Sequence, residues 1–134
     1  MPRLSVYFVR ASLVYMLLAF TFGGLLLANK GVMISPVIWA LLPVHIEFAF
    51  MGWMAQLALG IGFWILPRYG SGAPRGDEHW SWLCFALVNA GIILIVANSI
   101  AGVQALGFGA RGLELLGFTA FAIGNWGRVK PLMT

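Results

Sequence analysis

Charged side chains are scarce in this chain: Asp, Glu, Lys and Arg together make 9% of its residues, against about 25% in soluble domains, while 61% are hydrophobic. That balance excludes a soluble globular domain and leaves an integral membrane protein. Cysteine is almost missing as well. The lone Cys84 lies in a long apolar run, which excludes an intrachain disulfide and reads as a packing residue. GxSxG, CxxC, P-loop and dinucleotide-binding patterns are absent, so no motif announces a nucleophile, a dithiol or a phosphate cradle. A catalytic role inside a larger complex stays open.

What the chain does have is uncharged length. The runs are Ala11 to Asn29, Gly31 to Pro67 broken only by His45 and Glu47, Trp80 to Ala110, and Leu115 to Gly127. A helix needs about 20 residues to cross the hydrocarbon. The runs therefore predict an all-α, integral membrane four-helix bundle forming a single transmembrane domain, 1–134, with spans near 8–28, 43–66, 81–102 and 105–126. The first span is too long for a signal peptide's apolar stretch, and "LLLANKG" is a poor cleavage site, so it is expected to be retained. Pro36 and Pro43 bracket "ISPVIWALLP". Since proline suits a first helical turn, span two is expected to start near Pro43 after an interfacial segment carrying Trp39.

Orientation follows from the basic residues, which concentrate in cytoplasmic loops. Arg3, Arg10, Arg68, Arg75, Arg128 and Lys130 fall on one side of a four-span chain, and only Lys30 and Arg111 on the other. Both termini are thus expected in the cytoplasm, in the cytoplasmic (inner) membrane. Trp64, Trp80, Trp82 and Trp126 lie at the same ends, where indoles anchor at headgroups. Asp77 and Glu78 are placed to cap the third helix. The pI near 9.9 reflects this asymmetry, and no basic stripe or stacking platform supports a nucleic-acid partner. There is no internal repeat and no low-complexity tract.

The chemistry concentrates at the head of span two, in "PVHIEFAFMGWMAQLALGIGFWILPR". An ionisable group inside a bilayer costs roughly 2.5–3.5 kcal/mol. In a regular helix, steps of three and four from His45 give Ala49, Gly52, Gln56 and Gly60, a small and polar stripe. Glu47 points to nearly the opposite side, so His45 and Glu47 do not chelate one ion together. The stripe has two readings. It is either a close helix contact, a purpose Gly23, Gly24, Gly62, Gly107, Gly109, Gly112 and Gly117 also fit, or a flat cofactor slot beneath an imidazole.

The order His45, Gly52-Trp53, Gln56, Gly60, "FWILPR" ending at Arg68 and "GAPR" at 72–75, with Trp80 and Trp82 opening the next helix, resembles helices II and III of subunit I of the haem-copper oxidases and nitric oxide reductases. The likeness covers 43–82 best and fades over 1–42. It implies that His45 is an axial ligand of a low-spin haem b, that Ala49, Gly52 and Gln56 border the ring, and that Arg111 or Lys30 meets its propionates. The family's later helices, which supply the remaining metal ligands, have no counterpart here. His79 lies in a loop on the wrong side, so this chain alone does not reduce oxygen or nitric oxide by that mechanism. Some relatives carry a second histidine where Glu47 stands.

The family's subunit is arranged as arcs of four helices, and this chain resembles one arc. A homo-oligomer, dimer or trimer, would bring several His45 copies together, either two for a haem or more for Zn or Cu; Glu47 is a weaker metal candidate across such an interface. Respiratory-chain subunits and a redox protein on the outer side are the other expected partners, besides the lipid bilayer. Arg111 and Glu114, three residues apart, are expected to neutralise each other, and Arg10 to snorkel. Gln56, Asn89, Asn98, Gln104 and Asn125 are expected as interhelical hydrogen-bond partners, and Met51 and Met54 as filler rather than sulfur ligands. Three functions follow: a haem-b electron-transfer protein or respiratory subunit; a cofactor-free, or zinc- or copper-binding, structural subunit; and a small proton-coupled exporter using Glu47. The exporter class resembles this chain only in size, because its essential Glu lies in the first span.

Overall fold

The computed structural model describes residues 1–69 and 75–129, without the side chain of Gln104. Lys130, residues 72–74 of the "GAPR" motif and the expected Gln104 contact therefore lie outside the described residues. All regular structure among the described residues is helical: α1 (Arg3–Gly31), a 3-10 turn (Pro36–Leu41), α2 (Leu42–Glu47), a π-helical segment (Phe48–Ala55), α3 (Gln56–Ile65), α4 (His79–Ala101), α5 (Gln104–Asn125) and a 3-10 turn (Trp126–Arg128). Four stretches are long and apolar enough to cross a membrane: Arg3–Gly31, Pro36–Ile65, His79–Ala101 and Ala105–Arg128. This is the architecture of a multi-pass membrane protein.

The second span differs from expectation in two ways. The segment ahead of Pro43 is a 3-10 turn that runs directly into the helix, so this span starts at Pro36. Pro36 and Pro43 each sit in the first turn of their own element, where a missing N–H leaves no helical bond unmade. Between Phe48 and Ala55 the helix then widens to i→i+5 bonding. No proline lies in that segment, so this is not a proline kink. Its consequence is a shift in register, because a wider turn moves each following side chain back around the axis.

Successive spans run antiparallel. Gly60 packs on Phe8, Gly52 on Tyr15 and Gly23 on His45, which zips α1 against the second span along its length. Gly124 packs on Trp80, Gly117 on Val88 and Gly91 on Glu114, which does the same for α4 and α5. These contacts let backbones approach where lipid offers no hydrophobic drive between helices. Leu4, Phe8, Ala19, Val44, Phe48, Phe63, Cys84, Val88 and Ile92 form the core. Large apolar side chains such as Leu17, Phe20, Leu27, Ile65, Ile93, Ile100 and Phe108 cover the outside, as a lipid-facing surface requires.

The two described ends of the chain lie at one end of the bundle, hereafter the terminal end, together with exposed Trp64, Trp80, Trp82 and Trp126. There Arg128, which is 1% exposed, closes the second span. Its guanidinium donates to the carbonyls of Phe63 (2.8 Å), Leu66 (2.7 Å) and Pro67 (3.0 Å) and to Asn125 Oδ1 (2.6 Å), and it lies 4.9 Å above the Phe63 ring. A cation over the last carbonyls of a helix satisfies their orphaned acceptors and complements its dipole. At the start of α4, Asp77 Oδ1 accepts from His79 N (3.0 Å). Glu78, expected to cap as well, makes no side-chain cap and contributes through its backbone carbonyl.

At the far end, buried Asn29 closes α1: its Oδ1 accepts from Ile34 N (3.0 Å) and Ser35 N (2.9 Å). Gly102, in the left-handed conformation at φ 66°, ends α4 and turns the chain into α5. Gln56 and Asn89 exchange amide bonds across the bundle (3.3 and 3.2 Å), and Asn125 donates to Ser81 (3.0 Å). Asn98 departs from expectation, since its Oδ1 has no partner.

Candidate functional site

Two polar centres lie in the far half of the bundle, one on each side of the second span. The first is His45. Its Nδ1 is 2.8 Å from the carbonyl oxygen of Ala19. A carbonyl only accepts, so Nδ1 carries the proton of this bond and the neutral ring keeps its lone pair on Nε2. A backbone carbonyl fixing the far nitrogen in this way is how metal-binding imidazoles are usually oriented. A cleft of about 60 Å³ lies beside the ring, lined by Ala19, Phe20, His45, Ala49 and Trp53, and the Phe20 and Trp53 rings meet at 5.7 Å. The cleft admits small occupants such as water and is far below a porphyrin.

The expected stripe does not survive the π-helical segment as a single slot. Ala49 stays beside His45, and Trp53, rather than Gly52, follows it on the cleft. Gly52 faces the Tyr15 ring, where an added Cβ would come within 2.5 Å of Cγ, so the room left by this glycine is filled from inside the chain. Gln56 is fully buried against Asn89, whose Oδ1 also accepts from the Tyr15 hydroxyl (2.9 Å). Tyr15 was not legible as a partner, since nothing in span one alone marks which tyrosine turns inward.

The second centre joins the second and fourth spans. Arg111 Nη2 is 2.8 Å from Glu47 Oε2 and Nη1 is 2.7 Å from Glu114 Oε2. Both carboxylates are 2% exposed, and both Oε1 atoms lack a partner. The expected Arg111–Glu114 pair is therefore one half of a three-residue cluster, which leaves one carboxylate charge uncompensated when all three are ionised. Arg111, which the family resemblance would bring to haem propionates, is engaged here with both carboxylates. Glu47, the weaker metal candidate, is turned to α5 and away from His45, which faces α1. Among the described residues no group of three or more His, Cys, Asp or Glu could hold a metal ion, and His79 stands at the terminal end at the start of α4.

Comparison with protein-family models, with curated proteins and with solved structures finds no match for this chain.

Proposed function

We propose that this chain is a subunit of the cytoplasmic membrane, with both termini in the cytoplasm, that presents His45 as the axial ligand of a haem b between copies of itself. The observation that carries this reading is the Nδ1–Ala19 hydrogen bond, which leaves the Nε2 lone pair available to a metal. The fit is to an imidazole-ligated iron at an interface and not to a haem enclosed by one chain. Gly52 and Gln56 face inward, and the cleft at His45 is too small for the ring. His45, with Phe20, Ala49 and Trp53 beside it, would hold the group, and another copy or a respiratory-chain partner would supply the second ligand. Haem supplies one-electron transfer when bound; the same imidazole also suits Zn or Cu.

The second reading is a cofactor-free structural subunit, and one observation favours it: Tyr15 and Phe8 fill the space beside Gly52 and Gly60, as in plain helix packing. One experiment separates the two. The full chain is purified from cells with ample haem, and its spectrum is taken oxidised and dithionite-reduced beside His45→Ala. A Soret band that is lost in His45→Ala, with elution unchanged, carries the haem reading. A colourless wild type leaves the structural one.

A further inference from the structure

Gly23 and Ala19 are one turn apart on α1. In a helix, the carbonyl of Ala19 accepts the N–H of Gly23, and the residue four positions on stands over that carbonyl. A carbonyl has a second lone pair, which here takes Nδ1 of His45 at 2.8 Å. Access to it depends on position 23 having no side chain. A Cβ built on Gly23 would lie 2.7 Å from His45 Cε1, 3.2 Å from Nδ1 and 3.5 Å from Nε2. The nearest of these is a separation real Cβ atoms do not reach, so an alanine there pushes the ring off the carbonyl.

We propose that Gly23 and the Ala19 carbonyl are a positioning device that holds His45 as the Nδ1-protonated tautomer and makes Nε2 the ligating atom. The assignment rests on the proposed ligand role only for its purpose; the tautomer itself stands on this geometry alone. The neighbouring Gly24 provides an internal control, because a Cβ there meets nothing within 4 Å. It sits in the same helix and has the same propensity, but it has no imidazole above it.

The test is nitrogen NMR of the purified full chain labelled at histidine, in a His79→Gln background so that His45 gives the only signal. The expected result is a proton on Nδ1 in the wild type and in Gly24→Ala, and loss of that preference in Gly23→Ala. A wild-type His45 protonated on Nε2, or a Gly23→Ala signal identical to wild type, overturns the proposal. Where the wild type is coloured, Gly23→Ala is also expected to lower haem occupancy at least tenfold while Gly24→Ala keeps it. The spectrum of the wild type decides the haem reading separately, so a colourless protein with the Nδ1 tautomer refutes that reading and leaves this one standing.

Discussion

Replacing Arg128 with alanine removes four hydrogen bonds from a side chain that is 1% exposed. Bonds to a charged group are worth roughly 1.5–3 kcal/mol each, so simple addition gives about 6–12 kcal/mol. That sum overshoots, because the freed carbonyls of Phe63, Leu66 and Pro67 belong to the end of a helix, where water replaces part of what the guanidinium gave. Two costs remain: the orphaned Asn125 Oδ1, and the cavity over Phe63. We expect a loss of about 3 kcal/mol, roughly a hundredfold in the folding equilibrium. Arg128→Lys should lose about half of that, since an ammonium is a point charge and cannot span four acceptors set in different directions. The assay is equilibrium unfolding in mixed micelles with rising SDS, followed by helicity, with exposed Arg3→Ala as a neutral control. Arg128→Ala within about 0.5 kcal/mol of wild type, the range of ordinary surface changes, would refute the reasoning.

The Glu47–Arg111–Glu114 cluster predicts an asymmetry in the same assay. Arg111→Gln strands two buried carboxylates and should cost about 3–5 kcal/mol, whereas Glu47→Gln leaves one carboxylate on one guanidinium and should cost under about 1 kcal/mol; equal losses would show that the cluster is not charge-frustrated. Orientation is read by labelling intact cells with an impermeant maleimide in a Cys84→Ala background. Lys30→Cys should react from outside, and Arg3→Cys and Arg68→Cys only after the membrane is opened; the reverse pattern would overturn the placement of the termini in the cytoplasm.

Hydrophobic runs without charge announce helices long enough to cross a membrane, and four of them could be counted directly because each must satisfy its own backbone within the hydrocarbon. The Arg111–Glu114 contact was equally legible, since three residues along a helix place two side chains together whatever surrounds them. The candidate site was legible only as a residue: His45 stood out because a polar group in an apolar run needs a reason.

Its surroundings were not legible, for a local reason and a long-range one. The stripe from His45 to Gly60 assumed a constant period, and the π-helical segment Phe48–Ala55 breaks it, so Trp53 rather than Gly52 follows Ala49 on the cleft. Gly52 looked like open space in one helix and is occupied by Tyr15 from another. The second carboxylate on Arg111, the carbonyl on His45 and the three carbonyls on Arg128 also come from other spans. The sequence by itself determined that these groups are in helices within an apolar medium, because composition and period act locally. Which partner each buried group found was decided only when the helices packed, because an unsatisfied charge or donor in a dry interior is matched by whatever element lies against it, and that neighbour is set by the whole bundle.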